Sequence, residues 1–165
     1  MGIRIAIITC SDTRGIDRDE AGAALEGLVR EAGWECASHV VVTDDAGRIR
    51  DAILEAGACA DIIITCGGTG LSPRDVTPEA TRAACEREVP GVAEAMRAYS
   101  MTKTRRAMLS RALCMQLRVP GAGGTGGRLA LVVNFPGSTK AARECWEAVS
   151  DQFEHAMKMS AGGGH

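Results

Sequence analysis

The residues best suited to chemistry in this chain concentrate between Asp61 and Ala80, which read DIIITCGGTGLSPRDVTPEA. A β-type run, Ile62 to Thr65, leads into Gly67-Gly68-Thr69-Gly70. Glycine lets a backbone come close to an anion because no Cβ intervenes. Successive amide groups in such a turn form a concave anion site, and Thr69 adds a hydroxyl donor. Asp75 follows, just ahead of a helix start at Thr77-Pro78-Glu79-Ala80. The segment predicts a phosphate-handling loop at the carboxyl end of a strand, with an acid placed for a metal partner of the anion. A tight turn without a ligand is the competing reading of GGTG alone; its place after a buried strand favours the anion site.

Asp44 and Asp45 follow a second apolar run. Taken singly, each acid has an ordinary alternative: Asp75 caps loop amides before Thr77, and Asp44 or Asp45 caps the next helix. As a pair on neighbouring loops, Asp44 and Asp75 gain another role. Two carboxylates can hold Mg²⁺, which takes hard oxygen ligands and shares them with substrate phosphates. Such an ion shields a triphosphate and orients it for in-line attack. Pro136-Gly137-Ser138-Thr139-Lys140 opens the last helix, where an anion gains ~0.3–1 kcal/mol from the exposed helix terminus. Ser138 and Lys140 offer a donor and a charge there, although a proline-glycine turn with Ser138 or Thr139 as cap explains the segment equally well. Ser11-Asp12-Thr13 follows the first strand.

Other motifs carry less. Gly121-Ala122-Gly123-Gly124-Thr125-Gly126 fits G-x-G-x-x-G, but it precedes a strand, whereas a dinucleotide fingerprint follows one. No P-loop motif is present. Lys103, Arg105 and Arg106 read as a solvated face. Spacing gives Ser110 and Arg111 no independent reason to touch substrate. Met96, Met101, Met108 and Met115 read as packing residues.

These loops need a scaffold, and the periodicities supply one. Strands are expected at Ile3 to Cys10, Glu35 to Thr43, Ile62 to Thr65 and Leu129 to Asn134. Helices are expected at Asp19 to Ala32, Asp45 to Ala56, Pro78 to Glu88, Gly91 to Ser100, Ala107 to Leu117 and Lys140 to Met157. Alternating strands and helices predict an α/β domain, a three-layer α/β/α fold with a mostly parallel central sheet. In such sheets ligands bind beyond the carboxyl ends of the strands, where the loops above converge. One domain is expected over residues 1–159, with a flexible Gly-rich tail at 160–165.

Composition narrows the partners. Of 165 residues, 19 are basic and 21 acidic, giving a net charge of −2, and aromatics are 3%. Neither the positive surface of a nonspecific nucleic-acid binder nor a base-stacking platform is present. Seven cysteines without a CxxC make a poor disulfide or zinc framework and read as free thiols in a reducing cytoplasm. No apolar stretch approaches ~20 residues, so no membrane span is expected.

TCGGTGLSPRDVTPEA resembles the signature of the MogA/MoaB family of molybdenum cofactor biosynthesis. TCSDTR, REVPG, LSRA and NFPGSTKAAR follow in that family's order, from about Ile3 to Phe153. The resemblance implies a molybdopterin-binding fold and a homotrimer or a dimer of trimers. It also implies a molybdopterin adenylyltransferase that moves AMP from Mg-ATP to the terminal phosphate of molybdopterin and releases pyrophosphate. A molybdenum insertase is the implied downstream partner. By that similarity Asp75 and Asp44 are the catalytic and metal-binding acids. Ser11, Asp12, Gly67, Gly68, Thr69 and Gly70 then bind nucleotide and pterin phosphates, with Gly137, Ser138 and Lys140 completing the site. The PGSTKA wording leans toward the MoaB branch, some of whose members lack the RDVTPEA acid. A non-catalytic molybdopterin carrier is therefore the alternative, and the retained Asp75 and Asp44 favour the enzyme.

Overall fold

The structure is a computed structural model that describes residues 2–121, 123 and 126–163. The strands are β1 (Arg4–Cys10), β2 (Glu35–Val42), β3 (Ile62–Cys66), β4 (Arg87–Glu88), β5 (Cys114–Pro120) and β6 (Gly127–Phe135). The helices are α1 (Glu20–Glu31), α2 (Ala46–Gly57), α3 (Thr77–Ala84), α4 (Pro90–Met101), α5 (Thr139–Val149) and α6 (Phe153–Ser160). The sheet order is β2-β1-β3-β6-β5-β4. The pairs β1–β2, β1–β3 and β3–β6 are parallel, while β5 and β4 add an antiparallel edge.

The isoleucine-rich strands are apolar on both sides because both sides are covered. On β1, Ile5 and Ile7 join Leu25 of α1, Met96 of α4, Trp146 of α5 and Phe153 of α6. Ala6 and Ile8 face the other way, onto Ile49 and Ile53 of α2 and Ala80 of α3. The three layers expected from the sequence are therefore present. Truncating Ile7, which is fully buried, to alanine would remove about 2–5 kcal/mol. Among the described residues no helix is long and apolar enough to cross a membrane.

Three expectations are corrected. The helix expected over Ala107 to Leu117 is absent: a 3₁₀ turn, Arg105–Leu109, gives way to β5. Leu, Met, Gln and Arg favour helices in isolation, but pairing along β6 and burial of Cys114, Met115 and Leu117 outweigh that weak preference. The helix over Pro78 to Glu88 stops at Ala84, because Arg87–Glu88 is drawn into pairing with β5. The terminal helix breaks at a 3₁₀ turn, Ser150–Gln152. Beyond that break Phe153 packs 6.0 Å from both Trp34 and Trp146, measured between ring centroids.

The G-x-G-x-x-G stretch leads from β5 into antiparallel β6; within it Ala122, Gly124 and Thr125 lie outside the described residues. In the stretch expected as a tail, Ser160 still belongs to α6 and the amide of Gly163 returns to the Lys158 carbonyl at 2.9 Å. Gly164 and His165 lie outside the described residues.

Candidate functional site

At the carboxyl rim of β1 and β3 lies a cleft of about 390 Å³. Gly67 to Gly70 line it, facing Ser11 from the β1 loop and Gly137 and Ser138 from the start of α5; Asp44 and Asp75 also line it. The glycines are required at two points. Gly67 and Gly68 have φ of +106° and +69°. A Cβ would stand 2.6 Å from the Cys10 carbonyl oxygen at the first and 2.3 Å from Thr77 Oγ1 at the second.

Every carbonyl of this turn is held from behind. Thr77 donates its hydroxyl to the Gly67 oxygen at 2.8 Å and its amide to the Gly68 oxygen at 3.1 Å. Arg111 donates its amide to the Thr69 oxygen at 2.9 Å and Nε to the Gly70 oxygen at 2.8 Å. The Gly67 amide binds the Phe135 carbonyl at 2.9 Å, whereas the amides of Gly68, Thr69 and Gly70 have no acceptor among the described residues. With its carbonyls clamped and three amides unclaimed, the turn offers positive dipole ends without a competing negative one.

The acids are fixed by backbone amides. Asp12 and Asp44 cap one another: the Asp12 amide donates to Asp44 Oδ2 at 3.1 Å, and the Asp44 amide to Asp12 Oδ1 at 2.8 Å. Arg74 forms an ion pair with Asp12. Asp75 Oδ2 accepts the Ser72 amide at 2.9 Å. Asp44 Oδ1 and Asp75 Oδ1 have no hydrogen-bond donor among the described residues. Burial, and then the charge of Asp75, raise the Asp44 carboxyl above its ordinary value, as expected for two acids that share a cleft. Asp45 takes the capping role at α2, accepting the Arg48 amide at 2.8 Å, and so leaves Asp44 uncommitted.

Two predicted site residues stand apart from the others. Asp12 sits at the rim and orients Asp44 without lining this cleft. Lys140 lies in the first turn of α5, exposed, and is not a wall. The α5 terminus meets the cleft at Ser138, which accepts the Ala141 amide at 3.2 Å.

Arg111 is the functional residue that sequence reasoning left unassigned. Besides holding the turn, it donates Nη2 to the Asp75 carbonyl at 2.6 Å and pairs with Glu79. That hydrogen bond holds the Glu79 carboxyl below its usual range. Nothing local signals this role, because its partners are 32 to 42 residues away. Arg14 was also missed; it lines the cleft and donates to the Gly137 carbonyl at 3.3 Å. Cys10 and Cys66 line the cleft too, but burial pushes both thiols up to about 12, so neither supplies a thiolate at neutral pH. A second hollow of about 280 Å³ shares Thr69 and Gly70 with the cleft, and Met96, Ala112, Pro136 and Cys145 give it an apolar lining.

Residues 6–155 match the family described as "Probable molybdopterin binding domain". Molybdenum cofactor biosynthesis protein B of Bacillus cereus is 40% identical over 146 residues, covering 86% of this chain and 80% of that protein. Molybdopterin adenylyltransferase of Helicobacter pylori is 30% identical over 168 residues, covering 97% of this chain and 89% of that protein. The crystal structure of the molybdopterin biosynthesis enzyme MoaB from Thermus thermophilus superposes with a TM-score of 0.80 at 39% identity, covering 97% of each chain. Sequence and fold agree: the chain belongs to the MogA/MoaB family of molybdenum cofactor biosynthesis.

Proposed function

We propose that this chain is a molybdopterin adenylyltransferase, which transfers AMP from ATP to the terminal phosphate of molybdopterin. One observation carries the reading: Asp44 and Asp75 line the same cleft as a glycine turn whose carbonyls are clamped and whose Gly68, Thr69 and Gly70 amides are unclaimed among the described residues. The amides of Gly68, Thr69 and Gly70 seat the triphosphate, with the Ser11 hydroxyl and the α5 terminus at Ser138 across the cleft. The adjoining apolar hollow takes the pterin and brings its phosphate to the shared wall at Thr69 and Gly70. An oxygen of that phosphate attacks the α-phosphorus of ATP, the bond to the bridging oxygen breaks, and pyrophosphate leaves with the electron pair. This displacement needs alignment and charge stabilisation more than proton transfer.

Mg²⁺ fits this site. Asp44 and Asp75 each present one hard oxygen without a partner among the described residues, and the burial and nearby Asp75 charge that raise Asp44 are what a cation would offset. No group of three or more acids, histidines or cysteines able to hold a metal converges among the described residues, so phosphates and water would complete the coordination shell. The ion supplies charge neutralisation along the triphosphate.

Incubation with molybdopterin and Mg-ATP, followed by measurement of pyrophosphate, tests the assignment. An enzyme releases pyrophosphate in proportion to the molybdopterin supplied. A carrier binds the pterin and releases none, and that outcome would refute the reading.

A further inference from the structure

We propose that Asn134, which is fully buried on β6 beneath the cleft, is the positioning residue that holds both clamps of the glycine turn. The proposal rests on the reading of that turn as the phosphate seat. Both ends of the carboxamide are engaged and its direction is fixed. The Leu113 amide donates to Oδ1 at 3.1 Å, so Nδ2 must face the other way, where it meets Thr65 Oγ1 and Thr81 Oγ1, each at 2.9 Å. The Thr81 hydroxyl, having accepted from Asn134, donates to the Thr77 carbonyl at 2.9 Å. Thr77 is the residue that holds the Gly67 and Gly68 carbonyls.

The second arm leaves from Oδ1. The backbone amide of Asn134 also donates to the Leu113 carbonyl at 2.9 Å, so Leu113 is gripped from both sides. Two residues earlier, Arg111 holds the Thr69 and Gly70 carbonyls and the Asp75 carbonyl. One side chain that never reaches the cleft therefore registers α3 and the segment before β5 to the same four carbonyls. A buried amide with its oxygen and both its N–H groups bonded is costly to misplace, because a shift strands a polar group away from water. An apolar residue would pack here but would leave the two clamps unregistered.

The arm through Thr81 can be cut with little change in shape. In Thr81→Val the amide resonances of Gly68, Thr69 and Gly70 should shift, and a non-hydrolysable ATP analogue with Mg²⁺ should bind roughly five- to tenfold more weakly. Thr81→Ser, which keeps the hydroxyl, should restore both. Asn134→Asp, which removes both donors, should weaken binding further. Asp61→Asn serves as a control at the opposite rim, where Asp61 pairs with Arg4; it should lower thermal stability without moving the turn resonances or the affinity. Unmoved turn resonances in Thr81→Val, or equal affinity loss in Asp61→Asn, would overturn the positioning role. If the wild-type protein fails to bind the analogue, the phosphate-seat reading falls, and the resonances alone still decide whether Asn134 sets the turn.

Discussion

Two acidic clusters at neighbouring loops of this sheet are treated in opposite ways. Asp19, at the start of α1, has every oxygen engaged. Oδ1 accepts the Gly22 amide at 2.9 Å, while Oδ2 accepts the Thr9 hydroxyl at 2.5 Å and meets His39 Nε2 at 2.7 Å. Burial alone would raise this carboxyl, but the hydroxyl, the amide and His39 outweigh it and hold the group below its ordinary value. Asp44 and Asp75 each spend one oxygen on a backbone amide and leave the other unpartnered among the described residues, and Asp44 is raised. The first arrangement favours the fold. The second opposes it, a cost that the cation and phosphates of the proposed reaction would offset. Partner saturation distinguishes the structural acid from those proposed to react, since residue type and position after a strand are the same for both.

Substitution separates the two most sharply. Asp75→Asn and Asp44→Asn should each lower AMP transfer by at least ~100-fold, read as pyrophosphate release. Asp44→Asn should not lower the urea midpoint, because it removes a raised, repelled charge. Asp19→Ala should cost about 3 kcal/mol in urea denaturation, since it strands the Thr9 hydroxyl, the Gly22 amide and His39. Equal stability losses in Asp44→Asn and Asp19→Ala would erase the contrast.

Acid sharpens it next. A carboxyl lowered by folding stabilises the protein above its unfolded value, near ~4, and that stabilisation fades as pH falls through the folded value. Asp19 therefore contributes at neutral pH and stops contributing in strong acid. Asp44 runs the other way: its ionised form is disfavoured in the fold, so its penalty is full at neutral pH and vanishes below its unfolded value. The advantage of Asp44→Asn over the wild type should thus be present at pH 7, shrink as pH falls toward 4 and be gone near pH ~3. Urea midpoints of both proteins across that range provide the check. A smaller effect follows from binding: Mg²⁺ at about ten times its dissociation constant should raise the wild-type melting temperature by about 3–6 °C and leave Asp75→Asn unmoved.

The same contrast explains what could be read from the sequence. Buried parallel strands announce themselves as isoleucine runs, and Gly67-Gly68 is legible because positive φ and close approach to Cys10 and Thr77 exclude other residues. Asp75 and Asp44 were legible as acids on adjacent loops. Strand β5 was hidden, since CMQLRVP has helix-favouring residues and gains its extended form only from β6. Arg111 and Asn134 were hidden for a related reason: their roles are made of partners tens of residues away, which no local pattern records.

Lys140 is the residue where pattern and structure part most clearly, and it gives the smallest prediction. The PGSTK motif suggests a cation reaching for phosphate, but the side chain is exposed in the first turn of α5 and forms no wall of the cleft. A charge held in water near the rim attracts an anion weakly, and salt at ~0.15 M screens it beyond ~8 Å. Lys140→Ala should therefore shift stability by no more than ~0.5 kcal/mol. It should raise the KM for ATP less than about threefold at that salt, with the difference growing as ionic strength falls. A tenfold rise that persists in high salt would instead mean direct phosphate contact, and would move the working end of the site from the glycine turn toward α5.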